Sequence, residues 1–336
     1  MTDHERHWAL ILAAGDGRRL RGLTTTPAGV SVPKQFCSLD GGPSLLEEAV
    51  ERARRIAEPE RVCAIVAAQH EPWWSLQLEG LPRDNIVVQP QNRGTANGVL
   101  LPLLWILQRD PDARVILLPS DHHVRDEAKL ARALRSAASR SSASWPEIVL
   151  LGFEPRAADT ELGYIVPGLG SAAGHRSVER FVEKPAAARA RELIDQGALW
   201  NAFIVAADAQ ALLRLFERRC PDIVSAMRAV VLDARAGPAQ AEALAALYAE
   251  LPELDFSTSI LQGQEQYLRV LSVSECGWSD LGTPQRVAQA VDDLKQAEWR
   301  AAPAIGRSRA FLSLAAQHRR QSHSGSLAHP IAGPIA

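Results

Sequence analysis

The stretch Trp8-Ala9-Leu10-Ile11-Leu12-Ala13-Ala14-Gly15-Asp16-Gly17-Arg18-Arg19-Leu20 (residues 8–20) decides the fold. Its apolar run, 8–13, stops at a turn with two glycines, the pattern of a buried strand that ends abruptly. Outward from it, Ser44-Leu45-Leu46-Glu47 is a capping-box pattern opening a segment whose apolar positions recur at helical spacing. Further apolar runs stand at 62–67 (VCAIVA), 85–89 (NIVVQ), 114–123 (RVILLPSDHH) and 147–153 (EIVLLGF). A helical stretch near 95–108 lies among them, and Pro102 is expected to kink or divide it. Short apolar strands alternating with helical segments predict an α/β fold: a Rossmann-like, doubly wound, mostly parallel sheet covered on both faces.

The pattern changes after about residue 155. GYIVPG (163–168), VERFVEKP (178–185) and WNAFIV (200–205) read as short strands. YLRVLSV (267–273) reads as another, with helices over 186–196, 208–218, 238–250 and 284–297. No Pro/Gly linker separates two independent domains. One domain over 1–300 is therefore expected, with a first part at about 1–155 and a second part at about 156–300 folded onto it. From 301 to 336 the composition turns to Ala, Ser, His, Gly and Pro without an apolar face, predicting a flexible tail.

Composition excludes several classes. The 336 residues carry a formal charge of −2, which speaks against a broad nucleic-acid-binding surface. No apolar run reaches the ~20 residues of a membrane span. The start lacks a secretory pattern and the four cysteines lack metal-ligand spacing, so a reduced, cytoplasmic enzyme is expected. Only Lys34, Lys129, Lys184 and Lys295 are lysines, which draws the eye to Lys34 in Pro33-Lys34-Gln35-Phe36 and to Lys184 in Val182-Glu183-Lys184-Pro185.

Glycines after a first strand let backbone N–H groups approach a phosphate closely. Arg18, Arg19 and Lys34 add positive charge suited to a triphosphate. The spacing is neither GxGxxG nor GxxxxGK[ST]. Asp121 ends a strand, where open α/β sheets place ligands, and Asp280 lies in the turn Trp278-Ser279-Asp280-Leu281-Gly282. Brought together, these two carboxylates would suit Mg²⁺. His122 and His123 diverge as neighbours in a strand, which favours hydrogen bonding or packing over metal ligation. Gln89-Pro90-Gln91-Asn92-Arg93-Gly94-Thr95-Ala96 links a strand to a helix, a place for reading a nucleobase edge. Phe203 and Val205 read as core.

In order along the chain, LAAGDGRRL…PKQF, QPQNRGTA, LLPSDHHV, GYI, VEKP, WNAF and WSDLG resemble the motifs of sugar-nucleotide pyrophosphorylases. The PKQF form is similar to mannose-1-phosphate guanylyltransferases in particular, and the resemblance covers roughly residues 8–290. It implies a GT-A-like nucleotidyltransferase fold with a sugar-binding subdomain, and the reaction GTP + mannose-1-phosphate → GDP-mannose + pyrophosphate. It assigns the nucleotide to Ala13, Ala14, Gly15, Gly17, Gln89, Gly94, Thr95 and Asp121, and the triphosphate to Arg19 and Lys34. It assigns Mg²⁺ to Asp121 and Asp280, the sugar phosphate to Lys184, and the hexose to Gly163, Glu183 and Asn201. Relatives often pair, so a homo-oligomer is an expectation too. The chain has no cupin-like stretch such as longer relatives carry, so no isomerase activity is expected.

Several positions depart from the family pattern. Arg18-Arg19 replaces Thr-Arg, Arg21-Gly22 replaces Trp-Pro, the segment before PKQF is longer, and WNAF replaces WNSG. Gln89 and Gly94 resemble the thymidylyl- and uridylyltransferases, leaving dTTP or UTP with another hexose-1-phosphate as an alternative. A non-catalytic nucleotide-sugar sensor and a glycosyltransferase are the other readings.

Overall fold

Strand β1 (His7–Ala13) turns Trp8 and Leu10 toward one apolar cluster and Ala9, Ile11 and Ala13 toward another. That period of two is the mark of a strand buried on both faces. The computed structural model describes residues 7–139, 148–170, 174–232 and 238–301. After β1 come a single turn α1 (Arg21–Thr24), α2 (Leu45–Arg54), β2 (Val62–Ala67), α3 (Glu71–Gln77) and β3 (Ile86–Gln89). They are followed by α4 (Gly94–Arg109), β4 (Arg114–Pro119), β5 (His123–Val124), α5 (Glu127–Ala138) and β6 (Ile148–Phe153). The second half contributes β7 (Gly163–Gly170), β8 (His175–Val182), α6 (Ala187–Asp195), β9 (Leu199–Asp208), α7 (Ala209–Arg219) and α8 (Pro221–Leu232). It ends with α9 (Pro238–Glu250), β10 (Leu268–Val273), β11 (Trp278–Ser279) and α10 (Pro284–Ala301).

The main sheet has nine strands in the order β3-β2-β1-β4-β9-β6-β10-β8-β7. All but β8 and β9 run one way, so the sheet is mostly parallel, with the antiparallel pairings entering through those two. One face is covered by α4, α7 and α8, whose Leu103, Phe216 and Met227 are buried, and the other by α2 and α5. Tyr164, Ala190 and Leu193 form a small satellite core under α6. Because β1, β3 and β4 are mutually parallel, their carboxyl ends lie on one side and bring residues 14–20, 90–94 and 120–122 to the same edge.

The capping box forms as its spacing demands. Ser44 Oγ accepts the Glu47 N–H at 3.2 Å, and Glu47 Oε2 accepts the Ser44 N–H at 2.7 Å. The expected break at Pro102 does not occur, and α4 runs unbroken from Gly94 to Arg109. Pro102 removes one backbone donor, but burial of the residues on either side of it holds the helix together. Helices α3, α5 and α8, which the periodicity reading passed over, complete the layers.

The chain divides into two compact units, Met1–Val287 and Ala288–Ala336. Past Ala301 the expected tail lies outside the described residues. No helix among the described residues is long and apolar enough to cross a membrane.

Candidate active site

The loop after β1 is built around Gly17. Its φ of 61° is left-handed, and a Cβ there would stand 2.8 Å from the Lys34 backbone nitrogen, so only glycine lets the two segments touch. Gln35 locks the loop from below: its buried Nε2 donates to the carbonyls of Ala13 (3.1 Å) and Gly15 (2.8 Å). Across the edge, Gly94 has φ 82° and packs so closely on the Leu254 carbonyl that a Cβ would come within 2.2 Å of it. Thr95 Oγ1 donates to Asp255 (3.1 Å) and accepts the Phe256 N–H (2.8 Å), tying residues 254–256 over the start of α4.

These loops enclose a cavity of about 310 Å³. It gathers Ala14, Gly15, Gly17, Arg19, Gln89, Gly94, Thr95, Asp121, Glu183 and Lys184 from the residues singled out in the sequence. A second cavity, about 370 Å³, shares Gly17, Arg19, Asn92 and Asp121 with the first and adds Lys34, Leu281 and Gly282. Ala13, Gly163, Asn201 and Asp280 stand behind the walls. Ala13 is fully buried in β1, Gly163 and Asn201 are register partners on β7 and β9, and Asp280 is buried beside Gly282. Phe203, expected in the core, lines the first cavity, with φ 56° and its ring 5.4 Å from that of Phe256. Val205 is core as expected.

Lys34 lines the second cavity beside Asp121, which both cavities share. Its ammonium, 6% exposed with the whole residue, lies 3.0 Å from Asp121 Oδ2 and donates to the Asp280 carbonyl at 2.6 Å. Burial opposes the charge on Asp121, yet the Lys34 ammonium, with Arg19 behind it, holds that carboxyl below its usual range. Asp280 moves the other way. Burial pushes it up and the Asp121 charge adds to this, against the Gly282 N–H and the charges of Lys34 and Arg19. The two acids therefore share one electrostatic field.

Asp280 Oδ1 accepts the Gly282 N–H (3.1 Å) and pairs with the Arg286 guanidinium, both bonds landing on the same oxygen. Two carboxylates without a soft ligand suit a hard cation such as Mg²⁺. Among the described residues no group of three or more His, Cys, Asp or Glu is placed to ligate a metal. A cation held here would complete its shell with phosphate oxygens and water. The residues present fit that role.

The histidines diverge as expected. His122 Nδ1 accepts the Trp278 indole N–H (3.2 Å) and its Nε2 lies 3.7 Å from Asp121 Oδ1, while His123 turns to Glu48. Burial pushes His122 down to about 3, so its imidazole is neutral. Just past β8, Lys184 takes φ 45° and its ammonium lies 3.4 Å from Glu183 Oε1. Glu183 Oε2 is buried without a hydrogen bond, and so is Gln89 Oε1. A buried acceptor without a donor is costly unless a ligand supplies one. Burial pushes Glu183 up, and the nearby Asp255 charge adds to it against Lys184.

Sequence reasoning missed Asn92, Asp255 and Ser257 in the cavity wall, and Glu161, which pairs with Arg19 at 3.3 Å. It also missed Arg286 and its second partner, Asp159. Asn92 stands within the quoted stretch 89–96 without being singled out there; the others carry no local signal, since each reaches the site only through the fold.

The xanthan biosynthesis protein XanB of Xanthomonas campestris pv. campestris is 33% identical over 222 residues, covering 65% of this chain and 45% of the relative. A mannose-1-phosphate guanylyltransferase of Sinorhizobium fredii is 26% identical over 280 residues, covering 81% of this chain and 52% of the relative. The chain thus spans about half the length of the curated relatives it matches. A crystal structure described as mannose-1-phosphate geranyltransferase from Thermus thermophilus superposes with a TM-score of 0.71 at 28% identity, covering 82% of this chain and 76% of that one. A UDP-glucose pyrophosphorylase complexed with UDP-glucose shares the fold alone, at 12% identity and a TM-score of 0.53. The model of the nucleotidyl transferase family matches residues 8–297, and the chain belongs to that family.

Proposed function

We propose that the chain is a sugar-1-phosphate nucleotidyltransferase that converts GTP and mannose-1-phosphate to GDP-mannose and pyrophosphate. The observation that carries the reading is Lys34, whose ammonium touches both the backbone of Asp280 and the carboxylate of Asp121, a residue shared by the two cavities. Cations and paired carboxylates at such a junction serve a reaction between two phosphorylated substrates.

In this reading the sugar phosphate oxygen attacks the α-phosphorus in line, a new P–O bond forms, and the bond to the departing pyrophosphate breaks. The attacking oxygen is already anionic, so no strong general base is needed, and catalysis rests on positioning and charge neutralisation. Lys184 holds the sugar phosphate. Glu183 Oε2, buried and unbonded, accepts from hexose hydroxyls, with Asn201 and Gly163 shaping the wall behind it. The backbone of residues 14–17 with Arg19 and Lys34 receives the triphosphate, and Gln89 with Gly94 and Thr95 faces the base. Asp121 and Asp280 would hold Mg²⁺, which when bound neutralises phosphate oxygens.

The test is pyrophosphate release from a panel of nucleoside triphosphates and hexose-1-phosphates, run on the full chain and on Lys184→Ala. GTP with mannose-1-phosphate should lead the panel, with turnover at least about a hundredfold lower in the variant. Turnover led by dTTP or UTP with another hexose phosphate would favour the second reading, which rests on Gln89 and Gly94. Binding without turnover for every pair would leave a nucleotide-sugar sensor.

A further inference from the structure

Asp280 is not a vacant ligand. The Arg286 guanidinium, at the start of α10, pairs through one nitrogen with Asp280 Oδ1 and through another with Asp159 Oδ2. All three side chains are largely buried, at 23% exposure for Arg286, 8% for Asp280 and 16% for Asp159.

Asp159 is itself fixed. Its backbone N–H donates to the Tyr164 hydroxyl (2.8 Å), that hydroxyl donates back to the Asp159 carbonyl (3.0 Å), and its Oδ1 accepts the Glu161 N–H (2.7 Å). Tyr164 is fully buried. The loop between β6 and β7 thus presents two acids to the site, Asp159 for Arg286 and Glu161 for Arg19.

We propose that Arg286 is a built-in counter-cation of Asp280 that competes with the divalent metal, and that Asp159 sets the strength of this competition by sharing the guanidinium. The inference rests on the reading of Asp121 and Asp280 as the metal carboxylates. Its physical basis is direct. A guanidinium on Oδ1 cancels much of the charge that would draw a cation to Oδ2, and it does so in a partly buried place where screening is weak. Asp159 gives the guanidinium a second partner, so Asp280 is only half committed. The planar fork of arginine is suited to bridging two carboxylates, which a lysine cannot match. Arg286 is a positioning residue in this scheme. It acts on metal affinity through Asp280 and has no part in bond making.

The experiment titrates Mn²⁺ alone into the full chain, reading free Mn²⁺ by electron paramagnetic resonance. Arg286→Gln should bind Mn²⁺ about tenfold more tightly than the unsubstituted chain. Asp159→Asn, which commits the guanidinium fully to Asp280, should bind it about threefold more weakly, and that weakening should vanish in the Arg286→Gln background. Loss of a nearby negative charge alone would weaken binding equally in both backgrounds and would overturn the proposal. So would an unchanged or weaker affinity in Arg286→Gln. If that variant does not fold by circular dichroism, Arg286→Met, which keeps the apolar stem, takes its place with the same two outcomes. Asp280→Asn separates the two levels. If it abolishes Mn²⁺ binding while Arg286→Gln leaves the affinity unchanged, only the Arg286 inference falls. If it binds Mn²⁺ as well as the unsubstituted chain, the carboxylate reading falls and takes this inference with it.

Discussion

At the residue scale, Lys34 and Asp121 show how burial and charge balance. The Lys34 ammonium is nearly enclosed, and the Asp121 carboxyl is held below its usual range although burial works against it. A carboxyl whose folded pKa lies below its unfolded value contributes stability above the unfolded value and loses it as pH falls through the folded one. The melting temperature of the unsubstituted chain should therefore exceed that of Asp121→Asn at neutral pH, and the gap should close as pH drops below about 4. A gap independent of pH, in paired thermal scans, would show that Asp121 is not coupled to Lys34 in solution. Glu183 carries the opposite sign. Burial raises its pKa, so its ionisation costs stability as pH rises through the acidic range.

At the element scale, helix starts decide local geometry. The Ser44 hydroxyl caps α2 and also donates to Gln77 Oε1 at 2.8 Å, linking α2 to α3. Ser44→Ala should cost about 1 kcal/mol in urea unfolding and leave pyrophosphate release unchanged, since Ser44 lines neither cavity. Gly94 at the start of α4 is less forgiving. With φ 82° and the Leu254 carbonyl in the way of a Cβ, Gly94→Ala should lose about 1–3 kcal/mol. It should also raise KM for the nucleotide more than KM for the sugar phosphate, because the strain falls on the loop that the proposed reading turns toward the base. Equal changes in both constants would place the effect on the whole cleft.

At the scale of the molecule, the site depends on cores far from it. Phe256 is fully buried between Phe203 (5.4 Å) and Phe216 (5.8 Å), directly after Asp255 in the cavity wall. Phe256→Ala should lower stability by about 3–5 kcal/mol, read from the shift of a denaturant midpoint. The same packing couples α7 and the β9 strand to the loop that closes over α4, so the variant should also weaken substrate binding. Full substrate affinity in a chain destabilised this far would show that the loop holds its shape without that core.

What could be read in the sequence is what is encoded between near neighbours. The apolar run of β1, the capping box of α2 and the strand runs at 62–67, 85–89 and 147–153 each follow from residues a few positions apart, because burial periodicity and capping are local. The loop motifs were legible for the same reason, since Gly17, Lys34 and Asp121 each stand at a strand or turn boundary. Helix α4 escaped the expected break because the layers packed on it outweighed one lost hydrogen bond. The tertiary structure alone decided who meets whom: the Lys34 ammonium and the Asp280 carbonyl, 246 positions apart, and Arg19 with Glu161, 142 apart. Such pairs leave no trace in spacing, because the force that joins them depends on distance through space and on exclusion of water, and both come into being only when the sheet and its covering helices have formed.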